Sequence, residues 1–140
     1  MTVKAVKRPG TAVLAMISAI TLAACGETVS TGSFKGEQGA VAKRISQFQS
    51  DATKGDQKAI CRNDLAAAAR TRLGHSESDC QHALNDQLTQ VETFALTISS
   101  ITITGTSATA AVKSTYSGKT RSHTLTLVKE AGGWRISGVA

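Results

Sequence analysis

The chain has 140 residues, a formal net charge of +6 at pH 7, and one Trp, one Tyr and three Phe. So few aromatic side chains disfavour a base-stacking nucleic-acid surface, and the basic residues are interspersed with acidic ones instead of forming one patch. The length accommodates one domain of ordinary size, and we expect no second domain and no internal repeat.

The beginning of the chain has the three regions of a secretory signal. Lys4, Lys7 and Arg8 form a basic start, residues 11–24 are largely apolar, and small residues precede Cys25. As a helix this apolar stretch would rise roughly 21 Å. A bilayer's hydrocarbon core is about 30 Å thick, so we expect a cleaved signal and not a permanent membrane span.

The residues Leu22-Ala23-Ala24-Cys25 resemble the lipobox of bacterial lipoproteins. The resemblance implies a signal peptide of residues 1–24 and a lipidated Cys25 that carries at least two acyl chains, which anchor a protein stably. The protein is then expected on the outward face of the cell membrane, or on the outer membrane of a Gram-negative cell. An ordinary signal peptide cut near Ala24 is the alternative. Residues 1–24 contain three of the 16 basic and none of the 10 acidic residues, so the mature chain carries +3.

A change of composition divides the mature chain. Residues 25–36 are rich in Gly, Ser and Thr, which predicts a flexible tether from the lipidated cysteine. A flexible segment of about 11 residues reaches roughly 20 Å, enough to lift a domain clear of lipid headgroups. Residues 37–140 are predicted to form the single domain.

Helical periodicity opens this domain. Apolar residues from Val41 to Ala52 recur at i, i+4, i+7 and i+11, which predicts a helix that Gly55 ends. Asp56 is expected to cap a short second helix that runs through Cys61.

Two further helices are predicted. Asn63 or Asp64 is expected to start the third, which Gly74 ends. Ser78 and Gln81 have the spacing of a capping box for the fourth. The hydroxyl and carboxyl groups of residues 76–79 are interpreted as helix caps, because they lack the spacing of a calcium loop.

The second half of the domain has the periodicity of strands. Apolar residues alternate in the first run, but their parity reverses at Ser99-Ser100, which predicts a bulge and a bent strand. Glycine-containing turns separate three further runs rich in β-branched residues. The pattern predicts an antiparallel meander of four strands over residues 94–103, 107–116, 121–129 and 134–139.

The order of elements, the bulged strand and the closing Gly133-Trp134-Arg135-Ile136 resemble the NTF2-like, or SnoaL-like, superfamily. The likeness is greatest to small actinobacterial lipoproteins of this type, many of which also carry two helix cysteines. Over residues 37–140 the resemblance implies an α+β fold, in which N-terminal helices pack on a curved four-stranded antiparallel sheet and form a cone around a pocket. Members of the superfamily differ in what they bind, so the fold does not fix the function.

Cys61 and Cys80 remain once Cys25 is assigned to the lipid. An exported protein meets an oxidising compartment, so this pair predicts a disulfide. Zinc held by Cys61, His75, Cys80 and His82 is the alternative, which the lack of two closely spaced cysteines disfavours. No metal or other cofactor is expected.

Six side chains are predicted near the pocket of the cone, although each also fits an ordinary core: Phe48, Leu84, Leu88, Tyr116, His123 and Trp134. Tyr116 and His123, with Glu92 at the start of the sheet, are the candidates for acid–base chemistry of the NTF2-like kind. The required acid–base pair is not evident in the sequence, so no catalytic residue is assigned.

Three hypotheses for the function follow. The first is a non-enzymatic, lipid-anchored envelope domain that binds a small apolar ligand or a protein partner. The second is an isomerase or dehydratase acting on a lipid-like carbonyl compound. The third is an accessory or assembly subunit of an envelope transport or secretion system, with a homodimer as one form of it.

Overall fold

The computed structural model describes residues 32–88, 95–116 and 118–140, with only the backbone of Tyr116. The predicted signal peptide, Cys25, most of the tether and Glu92 lie outside the described residues. Within the described ranges, none of the helices has the length and apolar character needed to cross a membrane.

Helices precede strands along the chain, as the sequence predicts. The helical part consists of α1 (Gly36–Lys54), α2 (Gln57–Ala59), a π-helical turn (Ile60–Asp64), α3 (Ala67–Leu73) and α4 (Glu77–Leu88). The sheet consists of β1 (Ala95–Thr104), β2 (Ser107–Tyr116), β3 (Lys119–Glu130) and β4 (Gly133–Val139). The predicted α+β class is therefore confirmed.

The apolar stripe of α1 faces the core. Val41 and Ile45 are fully buried. Gly55 ends the helix in the left-handed conformation at φ 68°, where glycine has no Cβ to clash. The Asp56 carboxylate accepts a hydrogen bond from Ala59 N–H at 2.9 Å. The predicted end of α1 and the predicted cap of α2 are both confirmed.

The predicted start of the third helix is wrong. Asp64 is fully buried instead of capping a helix, and Leu65 forms an isolated parallel bridge with Ile136 of β4. Helix α3 begins only at Ala67, whose N–H donates to Glu130 Oε1 from the end of β3 at 2.9 Å. A tertiary contact therefore supplies the cap that local sequence does not.

The capping box of α4 lies two residues earlier than predicted. Ser76 Oγ accepts from Asp79 N–H at 3.1 Å, and Asp79 Oδ2 accepts from Ser76 N–H at 3.0 Å. The interpretation of residues 76–79 as helix caps is confirmed, whereas the role predicted for Ser78 is wrong.

The sheet is an antiparallel meander in the order β1-β2-β3-β4. Ile98 pairs with Val112 and Ser100 pairs with Ala111, which leaves Ser99 as the extra residue of a bulge. The bulge predicted from the reversed parity is thus confirmed. A second register shift falls in β4, since Leu127 pairs with Ile136 but Thr126 pairs with Gly138. Both irregularities add bend to the sheet.

The core lies between the concave face of the sheet and the helices. Buried side chains of the four strands pack against α1, the π-helical turn and α4 in one continuous cluster that includes Leu127, Trp134, Ile45, Ile60 and Leu84. The helices thus cover the sheet, and the N-terminal half of α1 contacts the start of the edge strand β4.

The predicted disulfide is present. Cys61 and Cys80 are joined with an S–S distance of 2.04 Å and link the π-helical turn to α4. Each cysteine is almost completely buried. Because the two sulfurs are bonded to each other, neither is a thiolate available to zinc.

Candidate functional site

The structure distributes the predicted pocket residues over the core. Leu84 and Trp134 belong to the buried cluster, and Phe48 and Leu88 pack against it. His123 is half-buried and lines a shallow depression of about 200 Å³ near the C-terminus. The side chain of Tyr116 lies outside the described part of the chain. Among the predicted residues whose side chains are described, Trp134 borders a larger cleft between α1 and β4.

That cleft, which we call the α1–β4 cleft, has a volume of about 530 Å³. It lies where α1 passes the first residues of β4. Eight of the eleven lining residues are polar or charged; the full lining is Glu37, Ala40, Lys43, Arg44, Gln47, Asp51, Asn63, Lys129, Gly133, Trp134 and Arg135. A half-open cavity of this size accommodates a small molecule with several hydrogen-bonding groups.

Arg44 is held in place at the floor of the α1–β4 cleft. Its Nε donates to the carbonyl oxygen of Trp134 at 2.9 Å, and its Nη1 donates to Asp64 Oδ1 at 2.8 Å. The Arg44 side chain is 20% exposed. Since guanidinium has five N–H donors, it keeps donors for a ligand after making these two bonds.

Asp64 is a buried carboxyl group beneath this floor. Burial raises its pKa to about 6, and the nearby Asp51 charge adds to the rise, while the hydrogen bond from Arg44 opposes it. No donor among the described residues reaches Asp64 Oδ2. The Asp51 carboxyl group lies within hydrogen-bonding reach of the Asp64 carboxyl group, so a proton on Asp64 would complete a hydrogen bond between the two side chains.

Asp51 occupies the cleft side of this carboxyl pair. It is 5% exposed, and its two oxygens accept from Gln47 Nε2 at 3.0 and 3.1 Å. Asp64 can therefore take up or release a proton close to pH 6 directly beside Asp51 and Arg44.

One side of the rim is fixed by Glu37. Its carboxylate accepts from Lys129 Nζ at 2.7 Å and from Trp134 Nε1 at 2.8 Å, and these bonds lower the pKa of Glu37. Lys129 Nζ also lies 5.8 Å from the centroid of the indole ring. The indole is thereby held in the wall of the cleft with almost none of its surface exposed.

Two basic residues that line the α1–β4 cleft have no carboxylate partner among the described residues. Arg135 Nη1 donates to the carbonyl oxygens of Arg62 and Asn63, and its buried Nε has no partner among the described residues. Lys43 is exposed on α1, and the salt bridges of the described residues do not include it. Glu37 and Asp64 each pair with a cation, Lys129 and Arg44 respectively. Asp51 therefore shares the cleft with two cations that have no carboxylate partner, Lys43 and Arg135.

Sequence analysis missed the three central residues of this site. Arg44, Gln47 and Asp51 recur at i, i+3 and i+7 on α1, directly beside its apolar stripe. A polar row at helical spacing, next to a core-facing stripe, is the signal that could have identified them. Asp64 carries no such signal, because only the tertiary fold places it under α1.

Comparisons with known proteins agree with this architecture. Residues 34–138 match the family model described as "Putative lumazine-binding". A search of curated proteins gives no match.

Several solved structures resemble the chain, and two of them are described as NTF2-like. An NTF2-like protein of unknown function from Silicibacter pomeroyi DSS-3 is 20% identical, with a TM-score of 0.52, over 71% of this chain and 89% of that one. An NTF2-like protein of unknown function from Shewanella baltica OS155 is 21% identical, with a TM-score of 0.50, over 71% and 87%. TsrD from Streptomyces laurentii is 16% identical, with a TM-score of 0.52, over 76% and 89%.

At these identities the likeness shows the fold alone, and it confirms the NTF2-like arrangement expected from the sequence. The match to the family model covers most of the chain. The chain therefore belongs to the family described as "Putative lumazine-binding" and has the NTF2-like fold.

Proposed function

We propose that this protein is a lipid-anchored protein of the cell envelope whose NTF2-like domain binds a small polar ligand in the α1–β4 cleft without transforming it. The observation that carries the binding role is that Arg44 and the buried Asp51 line a cavity of about 530 Å³, with the fully buried Asp64 beneath them. Buried charged groups are costly to maintain, so their presence under a cavity supports a role in recognition.

A polar ligand fits the lining of the α1–β4 cleft better than the small apolar ligand expected from the sequence. The apolar candidates Phe48, Leu84 and Leu88 pack in or against the core, whereas charged and amide groups line the cleft. The family description names lumazine, a heteroaromatic molecule that carries carbonyl and N–H groups. Such a molecule offers acceptors to Arg44 and donors to Asp51, and it is the first ligand to test.

The burial of Asp64 supports binding over catalysis. This carboxyl group has the raised pKa that suits proton transfer, but it is fully buried and does not line the cleft. A general acid or base must reach a proton of the substrate directly or through one water molecule. We therefore assign Asp64 to the charge and geometry of the floor.

The anchoring part of the proposal rests on the lipobox of residues 22–25. Its test is membrane fractionation of the full chain expressed in a bacterial host, with Cys25→Ala compared against Thr28→Ala. We expect Cys25→Ala to abolish lipid labelling and to leave the uncleaved precursor, while Thr28→Ala behaves as the parent. Lipid labelling that survives Cys25→Ala contradicts the anchor.

The binding part is tested with protein isolated from envelopes in detergent. Native mass spectrometry should detect a small molecule at fixed stoichiometry, and lumazine should change the fluorescence of Trp134 in a saturable way. Lys43→Ala should weaken lumazine binding, whereas Lys58→Ala, which removes an exposed lysine of α2, should not. A bare protein that also fails to bind lumazine contradicts this part.

A further inference from the structure

We propose that the α1–β4 cleft recognises an oxyanion, a carboxylate or phosphate group of its ligand, through Arg44 and Lys43, and that a proton on Asp64, beside Asp51, controls the affinity. This inference rests on the proposed binding function and names the chemical class of the ligand. It is tested below with a probe whose binding does not depend on the identity of the natural ligand.

Arg44 is positioned to donate hydrogen bonds to an acceptor in the cleft. Asp64 and the Trp134 carbonyl fix the guanidinium from two directions at 2.8 and 2.9 Å, which leaves little freedom for the remaining donors. A positioned guanidinium binds carboxylate and phosphate oxygens with good geometry. Asp64 is thus a positioning residue for Arg44.

The charges around Arg44 favour an anion. Lys129 and Arg44 have carboxylate partners in Glu37 and Asp64. Lys43 and Arg135 also line the cleft, and the salt bridges found among the described residues leave them without a carboxylate. These two cations outweigh the single Asp51 carboxylate, so the cleft carries net positive charge.

The carboxyl pair opposes the anion unless it holds a proton. Asp51 lines the cleft, and Asp64 lies beneath it with Oδ2 lacking a donor. A proton on Asp64 removes one negative charge from the floor and can bridge that oxygen to Asp51. By thermodynamic linkage, protonation of the pair and binding of an oxyanion strengthen each other.

The other charged groups that face the pair do not titrate with it. The charged groups that line the cleft with Asp51 are Glu37, Lys43 and Arg44 of α1, Lys129 of β3 and Arg135 of β4. Arginine and lysine remain charged around pH 6, and Glu37 has a lowered pKa. None of the histidines lines this cleft, so the carboxyl pair is the group that responds.

The probe is sulfate, whose charge is constant between pH 5 and 7.5. Sulfate is titrated into the isotopically labelled full chain in detergent at constant ionic strength, and the Arg44 Nε–H resonance is followed by NMR. If binding requires the protonated pair, the population of the competent state predicts affinity tighter at pH 5 than at pH 7.5 by up to about 30-fold. Lys43→Ala should weaken binding at both pH values, and Lys58→Ala should change nothing.

Two variants replace the proton by an N–H group. In Asp64→Asn, the amide oxygen can accept from Arg44 while the amide nitrogen donates to Asp51, so sulfate affinity should be independent of pH and equal to that of the parent at pH 5. Asp51→Asn can donate to Asp64 in the same way and serves if the first variant fails to fold. Saturable binding of equal strength at both pH values in the parent, or no saturable shift of Arg44, overturns the inference.

A second experiment distinguishes a lipid headgroup from a soluble compound as the source of the natural oxyanion. Free glycerol phosphate is compared with phosphatidylglycerol in mixed micelles at equal phosphate concentration. Shifts of Arg44 with the micelles alone assign the group to a lipid headgroup, and shifts with free glycerol phosphate assign it to a soluble ligand. Lumazine binding without a sulfate response would leave the proposed function standing and refute this inference.

Discussion

Replacing Asp64 by Asn should change how the stability of the domain depends on pH. Asp64 has an ordinary pKa of 3.8 in the unfolded chain and about 6 in the folded protein. The folded state therefore binds the proton more tightly. The stability that this proton contributes is present in full below pH 3.8 and is lost as the pH rises through about 6.

The size of the effect follows from this shift. A shift of about two units corresponds to at most about 3 kcal/mol. Between pH 4.5 and 7.5, the same linkage predicts a loss of about 1–2 kcal/mol in the free energy of unfolding. For a domain of this size the loss lowers the Tm by roughly 5–15 °C. Asp64→Asn needs no proton to donate to Asp51, so it should lose this part of the pH dependence.

The assay is thermal unfolding of the full chain, followed by circular dichroism at half-unit steps from pH 4.5 to 7.5 with the disulfide intact. Glu37 and Asp79 have lowered pKa values, which give the opposite sign at acidic pH, but they act equally in both proteins and cancel in the difference. Asp56→Asn, a change at an exposed capping carboxylate that Asn can also cap, is the matched control. Parallel Tm profiles for the parent and Asp64→Asn would refute the reasoning.

Three further predictions concern the scaffold. Replacing Cys61 and Cys80 by Ser opens a loop with a sequence separation of 19 and should lower the free energy of unfolding by about 3 kcal/mol. Urea denaturation measures this free energy, and an unchanged midpoint contradicts a structural role for the bridge. Gly74→Ala would place a Cβ 2.1 Å from Asp79 Cβ and should cost about 1–3 kcal/mol in the same assay, whereas Gly32→Ala, which meets open space, should be neutral. Gln38 donates to the Ile101 carbonyl oxygen at 2.8 Å and Gln49 accepts from Leu96 N–H at 3.2 Å. Replacing both glutamines by Ala exposes the β1 edge and should increase self-association in sedimentation experiments; a sedimentation coefficient unchanged with concentration argues against that role.

Local physics made much of the fold predictable. The repeat of apolar residues along α1 and the glycine at its end follow from helical geometry, which depends only on near neighbours. The reversed parity at Ser99-Ser100 revealed the bulge because successive strand residues face opposite sides of the sheet. The sequence predicts the α4 cap in the right segment but at Ser78, whereas Ser76 caps the helix in the structure. Either hydroxyl fits the local pattern.

The start of α3 shows where local reasoning stops. Asn63 and Asp64 are good capping residues, yet Asp64 is buried and accepts a hydrogen bond from Arg44 of α1, and Glu130 from the end of β3 caps the helix instead. Arg44 and Glu130 are distant in sequence from the start of α3, so no local pattern could indicate either contact.

The sequence by itself determined the fold class, the order of the elements, the disulfide pairing and the expectation of export, because each depends on periodicity, composition or a short contiguous motif. Only the tertiary structure decided the site. It packed the apolar candidates Phe48, Leu84 and Leu88 in or against the core and brought Arg44, Asp51 and Asp64 together beneath a polar cleft. Burial and proximity create that site, and both arise from packing α1 against β4 and the π-helical turn between them.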